Sequence, residues 1–224
     1  MVVAIDGPSG VGKSTVARAV ASALNLAYLD TGATYRAATL IVLRSNIDVT
    51  DEPSMLEELA HHHIDYDETG ITVDGATVSD AVRTEAVTAK VSAVSAHPRV
   101  RDRIVAIQRQ WVDRRGGDAV VEGRDIGTVV FPQAPIKIYL TARAEVRAAR
   151  RAGDAEAEGV SVNEIASALA ARDEADSTRK ASPLRPARDA TTIDTSDVDI
   201  EGVVAAIIEL VNASTSKDSS RSDS

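Results

Sequence analysis

The sequence predicts an α/β protein: a five-stranded parallel sheet flanked by helices on both faces. Three observations predict it. Five short runs have strand character: Val2-Val3-Ala4-Ile5, Ala27-Tyr28-Leu29, Ala119-Val120-Val121, Ile136-Lys137-Ile138-Tyr139-Leu140 and Thr191-Thr192-Ile193-Asp194. Between most of them lie longer segments whose apolar residues recur at helical spacing. The first three runs each end in a polar turn: Asp6-Gly7-Pro8, Asp30-Thr31-Gly32 and Glu122-Gly123-Arg124-Asp125. Strands that alternate with helices pair in parallel and are covered on both sides.

The helices follow in order. From Lys13 to Leu24 the apolar positions are Val16, Ala17, Val20, Ala23 and Leu24, with Asn25 as the stop. A second helix is expected over Ala33 to Leu43. Residues 45 to 80 are acidic and polar. There Ile71-Thr72-Val73, Asp74-Gly75 and Ala76-Thr77-Val78 have the form of a hairpin with a type I′ turn, because Asp-Gly tolerates two positive φ values. Helices are expected over Thr84 to Ala96 and Pro98 to Arg115, with proline at a permitted first-turn position. An arginine-rich helix spans Ala142 to Ala152, and a polar loop runs from Gly153 to Gly159. Ser161 and Glu164 have capping-box spacing ahead of a helix that runs towards Asp176. A last helix covers Ile200 to Val211. Residues 214 to 224 hold six serines and no apolar residue, and are expected to be disordered.

Composition narrows the function. The 224 residues carry a formal charge of −9 and no cysteine. Disulfides, thiolate metal sites and cysteine nucleophiles are excluded. An acidic chain is a poor partner for DNA or RNA, but a local cationic pocket still takes small phosphorylated ligands. Aromatic residues make up 3%, too few for a base-stacking platform. No apolar stretch is long enough to span a bilayer, and a strand-like run directly after Met1 leaves no room for a signal peptide. The expectation is a cytoplasmic protein without membrane or polymeric nucleic-acid partners.

The strongest motif is Gly7-Pro8-Ser9-Gly10-Val11-Gly12-Lys13-Ser14, followed by Thr15. It satisfies G-x-x-x-x-G-K-[S/T] between a buried-type strand and an amphipathic helix. Its glycines let backbone N–H groups surround phosphates, and the following helix directs its positive end at them. Lys13 neutralises the β- and γ-phosphates, and Ser14 ligates Mg²⁺. A triphosphate such as ATP is therefore expected here. A guanine-reading N-K-x-D is absent, which argues against a regulatory GTPase. Asp67-Glu68-Thr69-Gly70 fits D-x-x-G, but it falls at the hairpin.

The second signal is arginine. Arg143 to Arg188 contains nine Lys/Arg against eight Asp/Glu, so the segment is +1 and the rest of the chain −10. Arg143, Arg147 and Arg150 or Arg151 share one helical face, as do Arg172, Asp176 and Arg179. Like charges at such spacing repel unless a shared anion relieves them. Arginine's planar fork suits bidentate phosphate contacts, and such groups offset charge in phosphoryl transfer. The competing reading is a solvated face with arginines paired to nearby acids.

The sequence resembles bacterial cytidylate kinases. The resemblance rests on IDGPSGVGKST from Ile5, LDTGATYR from Leu29, VSDAVRTEAV from Val78 and VSAVSAHPRVR from Val91. It continues in VEGRDIGTVVFPQAPIKIYL from Val121, RAARR from Arg147 and ARDEADSTR from Ala171. It implies a P-loop nucleoside monophosphate kinase fold, in a single domain over residues 1–213. A monophosphate-binding insertion would span about 31–103 and a short lid about 147–160. It also implies ATP and Mg²⁺ as donor, CMP and dCMP as acceptors, and a monomer. Carried over residue by residue, Thr31, Tyr35 and Arg36 serve the monophosphate side. Ser92 and Arg101 meet the cytosine ring. Arg124 serves the phosphate and Asp125 the base, and Arg172, Asp176 and Arg179 surround pentose and phosphate. Lys13, Arg147, Arg150 and Arg151 would act on the transferred group. Glu122 stands where aspartate is frequent and would hold Mg²⁺ through a water.

Cytosine chemistry agrees with these roles. A carboxylate accepts from cytosine N4, while Arg101 and Ser92 donate to N3 or O2. Uracil would oppose Asp125 with an acceptor and leave a buried group unpaired. The adenylate kinase motif D-G-F-P-R is absent. A kinase for another small acceptor and a non-catalytic nucleotide switch are the rival readings. His61-His62-His63 points in several directions on a helix and is expected on a solvated face. Trp111 is expected to pack rather than stack on a base.

Overall fold

The middle of the sheet is β1, Val2–Asp6, an apolar strand buried from Val3 onward. In the computed structural model, which describes residues 1–153 and 160–221, β1 pairs in parallel with both neighbours. The strands are β2 (Ala27–Asp30), β6 (Ala119–Gly123), β7 (Ile136–Thr141) and β8 (Thr191–Asp194), in the order β2-β6-β1-β7-β8. Every pairing is parallel, as expected for strands that return through helices.

Strand side chains alternate between faces, so β1 feeds two cores. Val3 and Ile5 join Val16, Ala17 and Val20 of α1 (Lys13–Leu24) and Val203, Ile207 and Val211 of α8 (Ile200–Arg221). Ala4 faces the opposite cluster, with Ala37 and Ile41 of α2 (Thr31–Arg44), Val91 of α4 (Glu85–Ala96) and Ile104 of α5 (Pro98–Asp113). Asn25 ends α1 in the left-handed region at φ 52°, as the sequence predicts.

Several boundaries differ from expectation. The turn expected at Asp30–Gly32 is the start of α2, because the Asp30 carboxylate accepts from the Ala33 N–H and caps it. Between residues 45 and 80 the sequence reading found only the hairpin. That hairpin is present as β4 (Gly70–Val73) and β5 (Ala76–Thr77), turning through Asp74 at φ 52° and Gly75 at φ 79°. The structure adds α3 (Glu52–Ala60) and β3 (Ile64–Asp67), which pairs antiparallel with β4. Helix α3 buries only Met55 and Leu59, one contact row too short to stand out among charged residues. A 3₁₀ turn, Ala81–Arg83, precedes α4.

The remaining helices are α6 (Ala144–Ala152) and α7 (Val162–Thr178), the latter with its capping box formed. Helix α8 continues to Arg221, beyond the expected end at Val211 and into the stretch expected to be disordered. Helix formation is cooperative, so a helix nucleated by packed residues extends past them without a second nucleation cost. The polar loop expected over Gly153 to Gly159 lies outside the described residues from 154 onward. Trp111 packs as expected: it is buried, and its indole N–H donates to the Tyr66 carbonyl. The His62 ring bridges Glu58 and Asp74, and the described residues hold no cluster of three metal-ligating side chains. Among the described residues no helix is long and apolar enough to cross a membrane.

Candidate active site

The site forms at the C-terminal ends of β1, β2 and β6. The loop from β1 into α1 is drawn tight against its surroundings. A Cβ on Gly7 would stand 2.3 Å from the Leu140 carbonyl oxygen, and one on Gly10 would stand 3.0 Å from both Cβ and O of Arg147. Gly10 and Gly12 adopt φ 79° and 88°, which other residues reach only with strain. The loop's Val11 side chain goes into the core, while its carbonyl faces Arg150 and Thr195. Pro8 accepts from the Lys13 ammonium at 2.7 Å, and Thr15 and Ser14 are exposed at the head of α1.

A cleft of about 1230 Å³ opens beside this loop. Lys13, Ser14, Glu122 and Arg151 line it, and so does every side chain expected to bind the acceptor. These are Thr31, Tyr35 and Arg36 from α2, Ser92 from α4, and Arg101 from α5. Arg124 and Asp125 follow β6, while Arg172, Asp176 and Arg179 belong to α7 and its end. Arg179 is not helical as its spacing suggested: it caps α7 at φ −60°, ψ 140°, yet still turns towards Asp125 and Asp176.

Asp125 is held from behind. Residues Ile126–Val130 form a π-helical turn whose first two N–H groups, of Ile126 and Gly127, donate to Asp6 at 2.8 Å each. Burial pushes the Asp6 carboxyl up to about 6, against those two bonds, and the Asp125 charge adds to it. Asp125 itself is 3% exposed and accepts from Arg101 at 2.5 Å, with Arg179 at 3.7 Å. Arg101 also donates to the Ser95 carbonyl and lies 5.0 Å over the Tyr35 ring.

The charges in the cleft are out of balance. Arg172 is pulled down to about 10, first by burial, then by the Arg124 and Arg36 guanidinia, with Arg151 contributing. Lys13 is pulled down to about 7 by burial, with Arg124 next. Such mutual repulsion marks a place that takes an anion. Glu122 is pushed up to about 7, first by burial, then by the Asp30 charge. Beside the Ser14 hydroxyl, that carboxylate forms a hard oxygen donor set that suits Mg²⁺, and a cation there would relieve its repulsion with Asp30. The Thr31 hydroxyl, which lines the cleft, also donates to the Glu122 carbonyl at 2.6 Å and so secures β6 to α2.

The arginines of α6 divide by position. Arg151 faces the cleft. Arg147 donates to the Ser9 carbonyl and pairs with Asp173. Arg150 reaches Thr195, through O at 2.6 Å and Oγ1 at 2.9 Å, and Val11 O at 3.4 Å. The face expected from spacing therefore ties the P-loop to α6 through two arginines, and the third lines the cleft. Arg143, grouped with them by sequence, pairs with Asp197 and Glu145 at the surface. Sequence reasoning missed Asp173, which accepts from the Ser9 N–H and pairs with Arg147. Its place three residues before Asp176 on α7 was the available signal. It also missed Tyr28 and Asp30, which line the cleft beside Glu122.

A P-loop at the end of a parallel sheet, facing a cleft lined by several arginines, defines a phosphotransferase of the P-loop class. The comparisons are narrower. The family model described as cytidylate kinase matches residues 3–213, and the chain belongs to that family. A cytidylate kinase of Streptomyces avermitilis is 49% identical over 94% of this chain and 92% of its own. One of Corynebacterium efficiens is 49% identical over 96% and 95%, and one of Mycobacterium leprae 48% over 94% and 95%. A solved structure of an uncharacterized protein from Eubacterium ventriosum shares the fold, with TM-score 0.52 at 14% identity, covering 95% of this chain and 98% of that one.

Proposed function

We propose that this protein transfers the γ-phosphoryl group of ATP to CMP or dCMP, giving ADP and CDP or dCDP. The observation that carries this reading is the buried Asp125 carboxylate, set between Arg101 and Arg179 in the same cleft as the phosphate-binding Lys13. Asp125 accepts from the cytosine amino group, and Arg101 and Ser92 donate to N3 or O2. Arg36, Arg124 and Arg172 hold the monophosphate, whose approach relieves their repulsion. Asp176 serves the pentose side.

The acceptor oxygen is already anionic, so no protein base is needed. Catalysis is positioning and charge stabilisation. Lys13 and Arg151 converge on the transferred group, and Arg147 and Arg150 hold the P-loop that presents it. Ser14, and Glu122 through a water, would hold the Mg²⁺ that accompanies ATP, and that ion would supply charge neutralisation at the phosphate oxygens. The three-stranded sheet and its helices, within about 31–103, serve as the monophosphate-binding insertion, and about 147–160 as the lid. Their closure excludes water. Residues 1–213 act as one domain in a cytoplasmic monomer; the net charge of −9 supports the absence of a nucleic-acid partner.

The deciding experiment is a coupled ADP-release assay with CMP, dCMP, UMP, AMP and shikimate. CMP and dCMP turn over fastest under this reading. Equal or greater turnover on any acceptor without cytosine refutes it.

A further inference from the structure

Glu122 is 3% exposed at the end of β6, with Lys13, Ser14 and Asp30 around its carboxylate. A glutamate has three side-chain torsions, and at the mouth of a cleft they need fixing. Tyr28 fixes them: its hydroxyl donates to Glu122 Oε1. The two residues lie on neighbouring strands, where Tyr28 stands opposite Val120 and Asp30 opposite Glu122. The phenol therefore runs along the sheet towards the P-loop.

Tyr28 is itself held on its far side. The Arg18 guanidinium lies 5.1 Å over its ring. Tyr66 meets it edge-on with centroids 6.0 Å apart, and Trp111 meets Tyr66 in the same way at 6.3 Å. Tyr66 belongs to β3, in the three-stranded sheet, and Arg18 to α1. Tyr28, Arg18 and Tyr66 all line the cleft. One side chain thus joins the sheet that overhangs the acceptor to the carboxylate beside the P-loop serine.

We propose that Tyr28 is a positioning residue for phosphoryl transfer, whose hydroxyl holds the Glu122 carboxylate at the Ser14 end of the P-loop and links it through Tyr66 to the three-stranded sheet. The proposal rests on the Mg²⁺·ATP kinase reading above. A donor that orients a carboxylate near a metal tunes binding without touching the ion. Removing the hydroxyl alone leaves the ring contacts and frees the carboxylate to turn.

The test is Tyr28→Phe, made alone and on a Glu122→Ala background, which leaves the hydroxyl no acceptor at that position. Four quantities are read: the melting temperature; kcat and KM for CMP; and Mn²⁺ affinity of the enzyme with a non-hydrolysable ATP analogue, by electron paramagnetic resonance without turnover. Tyr28→Phe is expected to weaken Mn²⁺ binding and lower kcat about tenfold, with KM for CMP within about twofold. On the Glu122→Ala background it is expected to add nothing. Mn²⁺ affinity and kcat within about twofold of the parent overturn the proposal, as do effects that multiply across the double variant. A loss of melting temperature on both backgrounds shows a packing role and overturns it too. Failure of the kinase reading is seen separately, as absent CMP-dependent ADP release in the unaltered protein.

Discussion

Arg101 donates from Nη2 to Asp125 Oδ2 at 2.5 Å, with both residues 3% exposed. The carboxylate proposed to read the base is thus also half of a buried ion pair. Its removal strands a guanidinium as well as altering selectivity. Asp125→Asn is expected to lower kcat/KM for CMP by about a hundredfold or more and to narrow the CMP:UMP ratio, since the amide offers a donor to uracil O4. It also lowers stability by about 3 kcal/mol, the order seen when one partner of a buried pair is lost. ATP affinity holds. Steady-state kinetics on both monophosphates, with thermal melting, check it. An unchanged CMP:UMP ratio removes Asp125 from base recognition.

Arg150 and Arg151 are neighbours in sequence with opposite destinations. Arg150 makes its bonds to Thr195 and Val11, and Arg151 lines the cleft. Arg151→Ala is expected to reduce kcat by about a hundredfold or more, as loss of a cation at the transferred group does, and by more than Arg150→Ala does. Arg150→Ala is expected to cost about 1–3 kcal/mol of stability as Thr195 and the P-loop lose their tie. Steady-state kinetics and thermal melting of both variants check it. Equal kcat losses would show that both reach the phosphoryl group.

The P-loop has no room at Gly10. A methyl there meets Arg147 at 3.0 Å, and the residue must also hold φ 79°. Gly10→Ala is expected to cost about 1–2 kcal/mol from the left-handed backbone alone and to push α6 away from the loop. KM for ATP rises about tenfold, the equivalent of that strain, while KM for CMP changes little. Nucleotide titrations read this directly. Unchanged ATP affinity would mean that α6 yields freely.

The sequence made the parallel sheet legible because its strands are short and apolar, and the P-loop because its chemistry permits few residue types. The residues that the resemblance assigns to the acceptor all line one cleft. Helical spacing could place Arg147, Arg150 and Arg151 on or near one face, but not say what lies across from it. One 100° step separates the side chain that meets Thr195 from the one that meets the cleft. Strand β3 was written in the alternation of Ile64 and Tyr66 with Asp65 and Asp67, and was hidden by the acidity around it. The bond from Tyr28 to Glu122 joins residues 94 apart, and no local pattern carries it.

Asp6 gives the pH prediction. Its carboxyl is raised from 3.8 to about 6, mainly by burial, although the Ile126 and Gly127 N–H groups favour its charge. The protonated form is therefore preferred on folding. The sign follows: stability from this group is fully present below 3.8 and is lost as pH rises through about 6. The shift corresponds to ~3 kcal/mol between the ends of that window. Depressed carboxylates elsewhere titrate in the opposite sense, so the unaltered protein's curve alone does not isolate it. Asp6→Asn keeps an acceptor for one of the two N–H groups and has no titration. The difference in unfolding free energy, unaltered minus Asp6→Asn, is expected to fall by about 2 kcal/mol between pH 4 and 6.5 and to stay level above. Denaturant unfolding of both nucleotide-free proteins across pH 4 to 8 measures it. A flat difference curve would mean that the two backbone bonds fully offset the burial of the charge.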